Sequence, residues 1–429
     1  MNLFSRWNQP LQAAQDLAVC VPELVQDLMN RHSRLWWSCG RGFPLMQRSY
    51  SPGEQSANEK VLENLINGLA YELKHIPLEE KNRKTQANRL KAQGQQFAAH
   101  IFNLEQQQID FIETSGLLAA AEEFTRMARA FDPKLSAADI YQAGRNVMTM
   151  NLLQLLLNLP VEVTPSVFAY SMLYPYTDNA LDDPAISPTT KLAFNHRFQR
   201  RLAGEAVRPA NPHEAVINNL VGMIEEQWER SRYPRVYESL LAIHSAQGKS
   251  LGMTAPGASP YELDVLGISF EKGGTSVLAD GYLVAGWLTP DQAALMFGYG
   301  AFTQLMDDLE DVQDDLGKGQ MTLFSQTAHH WPLDNLTNRV FHFGQAIFSD
   351  LSAFHSPAVE SLKELMDHAV APLLINCIGQ AGSLYSKGYL RQIEEHFPFH
   401  FAAMHKQREN LKRKKINLER FVEIFVLRA

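Results

Sequence analysis

The chain has few cysteines, no long apolar run and no excess of basic residues, and each of these absences excludes a class of protein. Its 429 residues include only Cys20, Cys39 and Cys377, which are spaced too widely for a disulfide framework or a zinc-ligand pattern. The longest apolar stretch, residues 151–163, contains Asn, Gln and Pro and is too short to cross a bilayer. The net charge of −8 argues against a nucleic-acid partner.

The first residues, MNLFSRWNQP, also lack the basic and apolar regions of a secretory signal. We therefore expect a cytoplasmic protein. Hydrophobic residues make up 45% of the chain, which is typical of a globular protein. The length allows one large core or two domains.

Helical periodicity dominates the sequence, and no segment alternates apolar and polar residues as a strand would. Helix starts are predicted at a capping box and at three Ser-Pro or Thr-Pro pairs, namely Ser136 with Asp139, Thr164–Pro165, Ser259–Pro260 and Thr289–Pro290. The last of these helices is predicted to run to Gly317. We predict an all-α protein in which residues 135–400 form a single large helical bundle, residues 1–134 are helices packed on or appended to it, and residues 401–429 form a basic amphipathic helix.

Residues 307–315 contain six carboxylates and no basic residue. Like charges three or four residues apart on a helix each cost a few tenths of a kcal/mol, so a cation should be supplied unless the segment is fully solvated. Asp307, Asp308 and Asp311 share one helix face, and that face is apolar further back. This pattern favours a cation site over its alternative, a solvated helix end.

A second acidic cluster, DNALDD, lies 129 residues earlier. Asp178 and Asp182 are one turn apart at the predicted end of a helix, followed by Asp183, and negative charge there opposes the helix dipole. Because every candidate ligand is an oxygen, the pattern favours Mg²⁺ or Mn²⁺ over zinc. Two facing aspartate-rich helix ends suit a diphosphate held between magnesium ions.

Glycines mark two further positions. Lys272 precedes Gly273 and Gly274, which we expect to break a helix and free backbone amides as a seat for an anion; a plain turn is the alternative. Gly298 and Gly300, in the helix that leads to Asp307, indicate that another helix or a ligand approaches its backbone.

Other candidates are weaker. Arg230 and Arg235 could bind phosphate or simply lie at the surface. Tyr174, Phe270 and Tyr299 could line a cavity and stabilise carbocations through cation–π contacts, or they could belong to the core.

Three segments resemble the class I isoprenoid synthase superfamily. QLMDDLEDVQDD (304–315) looks like the second aspartate-rich motif of the trans-isoprenyl diphosphate synthases. DNALDD (178–183) resembles the first motif of the squalene and phytoene synthases and the aspartate motif of the large bacterial terpene synthases. EKGGTSVLADGYL (271–283) is similar to the lysine-containing segment that contacts diphosphate in that superfamily. The resemblance covers residues 135–400.

The resemblance implies an all-α isoprenoid synthase fold in which three Mg²⁺ ions lie between the aspartate-rich helices above a deep apolar pocket. The implied metal ligands are Asp178, Asp182, Asp183, Asp307, Asp308 and Asp311. The implied substrate contacts are Lys272, Thr275, Gln304, Arg230, Arg235, Tyr174, Phe270 and Tyr299. Lys272 would act in catalysis together with Asp178, Asp182, Asp307 and Asp311.

The expected activity is that of a class I terpene synthase, which ionises a linear prenyl diphosphate. The first motif lacks the arginine pair of chain-elongating enzymes, which argues against condensation with isopentenyl diphosphate. Two alternatives stay open: a condensing prenyl synthase, and a non-catalytic homologue that binds isoprenoid lipid. The basic C-terminal segment either docks on the core or touches anionic lipid. A homodimer stays open as the oligomeric state.

Overall fold

The computed structural model describes residues 20–75, 77, 79–102, 104–182, 185–254 and 259–413. Within these residues every regular element is a helix and no strand occurs, which confirms the predicted all-α class. None of the described helices combines the length and the hydrophobicity needed to span a bilayer. Two short 3₁₀ turns, at Leu251–Thr254 and Gly382–Leu384, accompany the α-helices.

The α-helices, in chain order, are α1 Val21–Ser38, α2 Pro52–Lys74, α3 Glu80–Phe102, α4 Gln106–Thr114, α5 Leu117–Phe131, α6 Ala137–Leu156, α7 Pro165–Asp182, α8 Pro188–Leu202, α9 Pro212–Gln227, α10 Pro234–Ser250, α11 Val265–Ala285, α12 Pro290–Glu310, α13 Val312–Lys318, α14 Leu323–Ala328, α15 Asp334–Phe348, α16 Val359–Gln380, α17 Lys387–Glu394 and α18 Phe401–Arg413.

Three of the four predicted helix starts are confirmed. Ser136 and Asp139 form the capping box of α6, with the Ser136 Oγ accepting from the Asp139 amide at 3.0 Å. Pro165 and Pro290 begin α7 and α12. The start at Pro260 is wrong: α11 begins five residues later, at Val265, because the Asp264 carboxylate accepts the Gly267 amide and caps the helix there.

The helix that carries the acidic run is interrupted. α12 ends at Glu310, and Asp311 is the junction from which α13 continues to Lys318. Gly319, with a φ of 70°, then ends α13. The prediction of one helix to Gly317 is therefore wrong in both its continuity and its end.

α7 lies at the centre of the bundle. All of its residues from Pro165 to Leu173 are buried, and it packs against α6, α9 and α11. A helix that is apolar all round is one that is enclosed on every side. The buried stretch includes the first residue of α7, and the opposite end of the helix carries DNALDD.

The N-terminal helices are part of the same bundle. Trp36 of α1 is 1% exposed and packs edge-on against Phe270 and Phe343, with ring centroids 6.2 and 5.6 Å away. The first amide of α1, at Val21, donates to Glu238 of α10 at 2.9 Å. The first described helix of the segment, α1, is therefore packed on the core.

The described part of the C-terminal segment also docks on the core. On α18 the His405 Nε2 lies 3.1 Å from the Gly379 carbonyl of α16. Arg408 donates to Asn376 at 3.3 Å. The remainder of the predicted basic helix, residues 414–429, lies outside the described residues.

Candidate active site

The glycine pair after Lys272 does not break its helix, because α11 is continuous from Val265 to Ala285. The predicted break is wrong. A Cβ atom on Gly273 would lie 2.2 Å from the Gly300 carbonyl oxygen, and one on Gly274 would lie 2.5 Å from the Phe297 ring. These glycines allow the backbones of α11 and α12 to touch. The anion seat built from freed amides is therefore not formed.

Gly298 is explained in the same way. A Cβ atom there would lie 2.6 Å from the His32 imidazole of α1. Of the two alternatives left by the sequence, a helix rather than a ligand approaches this part of α12.

α11 and α12 run antiparallel, so the start of α11 meets the acidic end of α12. Ser269 donates to the Asp308 carboxylate at 2.8 Å. Burial raises the pKa of Asp307, Asp308 and Asp315, and Lys272, one turn further along α11, is close enough to oppose that rise at each carboxyl. Lys272 therefore lies beside the acidic cluster, on an unbroken helix.

The end of α7 reaches the same level. The hydroxyl groups of Tyr174 on α7 and Ser276 on α11 are 2.8 Å apart. One turn onward along α7 is Asp178, and one turn back along α11 is Lys272. The two aspartate-rich helix ends thus lie at the same end of the bundle. The side chains of Asp178 and Asp182, and the whole of Asp183, fall outside what the structure describes.

A cation that the local sequence does not contain lies beside the acidic run. Arg145 of α6 approaches Asp307 to 3.6 Å, and the two side chains are 65% and 50% exposed. Partial burial raises the pKa of Asp307, while Arg145 and Lys272 oppose that rise. The compensation expected for the clustered carboxylates therefore comes partly from a helix more than 150 residues away in sequence.

Asp308 is buried, with 6% of its surface exposed. One of its carboxylate oxygens accepts from Ser269 and the other from the Gln304 amide, each at 2.8 Å. Burial raises the pKa of Asp308 to about 6. Gln304, predicted to contact substrate, instead holds Asp308, so this pair forms the inner wall of the cluster rather than its open face.

The two later carboxylates differ from one another. Asp311 is exposed at the junction of α12 and α13. Asp315 is 5% exposed, and burial together with the charge of Asp311 raises its pKa to about 6.

The donor set of this cluster consists of carboxylate oxygens, which suits Mg²⁺. Asp307 and Asp311, one turn apart on the same helix face, are both accessible from outside. Among the described side chains no group of three or more His, Cys, Asp and Glu residues is placed to hold a metal ion.

Below the acidic cluster is a layer of buried polar groups that the sequence does not reveal. Asp280 of α11 is 1% exposed, and its carboxylate accepts from Asn146 of α6 at 3.2 Å. Burial raises the pKa of Asp280 well above its ordinary value, and the hydroxyl groups of Tyr170 and Tyr299 face it. The sequence signal was a single aspartate within the apolar stretch SVLADGYLVA.

Two residues predicted to contact substrate are buried in the core, where they contact other parts of the protein. The Thr275 hydroxyl donates to the Glu271 carbonyl of its own helix at 2.6 Å, and Thr275 is 1% exposed. Phe270 is fully buried and stacks on Phe343 with centroids 5.2 Å apart. Their positions do not support contact with a substrate. Tyr174 and Tyr299, by contrast, line the layer around Asp280 and Ser276.

The predicted phosphate-binding arginines lie at the other end of the bundle. Lys249, at the end of α10, pairs with Glu271 near the acidic cluster, and Arg235 is fourteen residues earlier, about 21 Å along the helix. Arg235 pairs with Glu238 at 2.7 Å. Arg230 donates to the Leu202 carbonyl at 2.8 Å and lies over the Tyr237 ring. Arg230 thus connects the ends of α8 and α9, whereas Arg235 pairs within α10, and the positions of the two arginines do not support diphosphate binding.

Comparison of the chain with protein-family models, with curated proteins and with solved structures gave no match.

Proposed function

We propose that the protein is a class I terpene synthase that ionises a linear prenyl diphosphate with the help of Mg²⁺. One observation carries the proposal: the DNALDD end of α7 and the acidic end of α12 lie at the same end of the bundle, on either side of α11. Two cations, Arg145 and Lys272, reach the same cluster. This is the charge arrangement that a metal-bound diphosphate requires.

Each part of the cluster has a role in this reaction. Asp307 and Asp311, with the aspartates of α7, would hold Mg²⁺, which supplies neutralisation of the charge that develops on the leaving diphosphate. Arg145 and Lys272 bind and orient the phosphate oxygens from the side of α6 and α11. Asp308 stays fixed by Ser269 and Gln304, so it holds the end of α12 in place.

The buried layer below the cluster would face the hydrocarbon chain. The rings of Tyr174 and Tyr299 present their π-systems to a carbocation, which they stabilise electrostatically. Asp280 retains its proton more strongly than an exposed aspartate because burial raises its pKa. In its protonated form this carboxyl is a poorer nucleophile than a carboxylate, which disfavours capture of the carbocation as an ester. The same layer excludes bulk water from the cation.

The test is incubation of the purified protein with single prenyl diphosphates of increasing chain length in the presence of Mg²⁺, with extracts analysed by gas chromatography. A terpene hydrocarbon or alcohol formed from one diphosphate alone, and lost on addition of a chelator, supports the proposal. Product that appears only with added isopentenyl diphosphate would instead identify a condensing synthase. Diphosphate binding without any turnover would identify a non-catalytic homologue.

Asp307→Asn is the matched variant for this assay, and Asp314→Asn is its control. Asp314 is an exposed carboxylate of the same acidic run. Loss of product with the first variant and not with the second would tie the activity to the proposed cluster. Equal activity of the two variants would mean that any turnover does not depend on the acidic cluster.

A further inference from the structure

A cavity of about 490 Å³ lies outside the acidic cluster, between residues 45–50, α15 and α16. Its volume is in the range of pockets that bind small molecules. None of its lining residues comes from α6, α7, α11 or α12. It is therefore a separate cavity and not the expected apolar pocket between the aspartate-rich helices.

The inner part of the cavity is apolar. Phe341 and Phe348 of α15 and Met366 and Val370 of α16 line it. Phe348 closes its floor, because its ring packs against Tyr299 and Phe302 of α12 with centroids 5.8 and 5.7 Å away. An occupant of this part would gain from burying a hydrocarbon chain.

The outer part of the cavity carries two cations, Arg48 and Lys363. Within the described residues neither one has a carboxylate within 4.0 Å. Arg48 lies over the Tyr50 ring, 4.4 Å from its centroid, which holds the guanidinium at the wall. Asp367, also on the lining, is exposed at the rim. The polar end of the cavity thus offers positive charge with no counterion paired to it.

From this combination we infer that the cavity binds an amphiphilic anion, with its hydrocarbon chain against Phe341, Phe348 and Val370 and its anionic head at Arg48 and Lys363. A carboxylate or a phosphate head has the required chemistry, since both accept charge-assisted hydrogen bonds from these groups. The site is independent of the proposed diphosphate chemistry.

The experiment is calorimetric titration of the full-length protein with dodecyl phosphate and with dodecanoate, both below the concentration at which they form micelles. Saturable binding of one molecule per chain is expected. Dodecanol, which lacks the charge, and ethyl phosphate, which lacks the chain, should each bind at least about tenfold more weakly. The relative affinities of the phosphate and the carboxylate then identify the preferred head group.

Three variants locate the site. Arg48→Glu with Lys363→Glu should weaken binding by at least about tenfold. Val370→Trp should also weaken binding by at least about tenfold, because the larger side chain fills the apolar end of the cavity and leaves no room for the hydrocarbon chain. Lys60→Glu, which reverses the charge of an exposed lysine of α2 that does not line the cavity, should leave binding unchanged. Circular dichroism checks that each variant is folded.

The inference is overturned if the charge-reversed and cavity-filled variants bind dodecyl phosphate as tightly as Lys60→Glu. It is also overturned if ethyl phosphate binds as tightly as the long-chain ligand, since the chain would then not be recognised. Asp307→Asn distinguishes the two sites: it should strongly lower the rate of the diphosphate chemistry and leave this binding intact. Loss of binding in Asp307→Asn would move the ligand to the acidic cluster and overturn the inference.

Discussion

Gly273 on α11 and Gly300 on α12 are in direct backbone contact, and neither can carry a side chain. A Cβ atom on Gly300 would lie 2.0 Å from the Gly273 carbonyl oxygen. Real Cβ atoms do not approach backbone atoms so closely, so the two helices would have to move apart. The contact fixes the spacing between α11 and α12, and with it the position of Lys272 relative to Asp307 and Asp308.

Gly300→Ala should therefore destabilise the protein, although alanine is a better helix former than glycine. We expect a loss of about 1–3 kcal/mol in the free energy of unfolding, typical of overpacking a tight contact. Gly222→Ala in α9 is the control, because nothing lies within 4 Å of its added Cβ. That variant should gain up to about 1 kcal/mol. Urea denaturation measures both, and a stabilised Gly300→Ala would contradict the contact.

Arg145 should contribute to ligand binding and little to stability. Its pair with Asp307 is exposed, and such pairs contribute at most about 1 kcal/mol. We expect Arg145→Gln to keep the unfolding free energy nearly unchanged while weakening the binding of inorganic diphosphate with Mg²⁺, measured by calorimetry. Arg126→Gln is closely matched, because Arg126 lies 3.6 Å from Glu123 with 55% and 50% of the side chains exposed. Equal diphosphate affinity in the two variants would exclude Arg145 from the site.

The carboxylates of the acidic run should differ in their effect on turnover. Asp307→Asn and Asp311→Asn should each lower kcat by about 10²-fold or more, the typical cost of removing a preorganised electrostatic group. Asp178→Asn and Asp182→Asn should behave in the same way, since the diphosphate would be held from both helix ends. Asp314→Asn should have little effect. Small and equal losses at all five positions, with unchanged circular dichroism, would indicate that the run serves no catalytic purpose.

Asp280 should make stability depend on pH. Its folded-state pKa lies well above the ordinary value of 3.8, so the folded protein retains a proton that the unfolded chain releases. Stability from this group is complete below about pH 4 and is lost as the pH rises through the folded-state pKa. Asn146, Tyr170 and Tyr299, which face Asp280, carry no positive charge that would oppose the rise in its pKa.

Asp280→Asn cannot lose a proton, so its unfolding free energy relative to that of the wild type should increase as the pH rises from about 4 through the folded-state pKa of Asp280. Chemical denaturation at several pH values measures the difference. Asp291→Asn, at an exposed position of α12, should give a curve parallel to that of the wild type over this range. A parallel curve for Asp280→Asn as well would mean that Asp280 is charged in the folded state.

The sequence placed three of the four predicted helix starts correctly, and the reason is physical. The capping box at Ser136 and the prolines at 165 and 290 act within one turn, so nearby residues suffice to locate them. The continuity of α11 could not be predicted in that way. A Gly-Gly pair is compatible both with a break in the helix and with the close approach of a neighbouring helix. The residue that decides between them, Gly300, belongs to another helix.

The candidate site was predictable only where its residues are adjacent in sequence. The carboxylates of α12 form a visible run, whereas Arg145 reaches them from α6. Asp280 is a single charge on an apolar helix, and its burial depends on α6, α7 and α12 together. Arg230 and Arg235 looked suitable in composition, but helix length carries them to the far end of the bundle.

The way α1 is held has a consequence for how the chain acquires its structure. Its first amide bonds Glu238, 217 residues later, and its tryptophan at position 36 packs against Phe343. The segment that follows α1 is tied still further along, with Gln55 donating to the Phe397 carbonyl. Contacts of such long sequence separation form slowly and only after most of the chain has been synthesised. A protein trimmed to residues 135–400 would leave Phe270 and Phe343 without their partner and should aggregate rather than fold as a smaller unit.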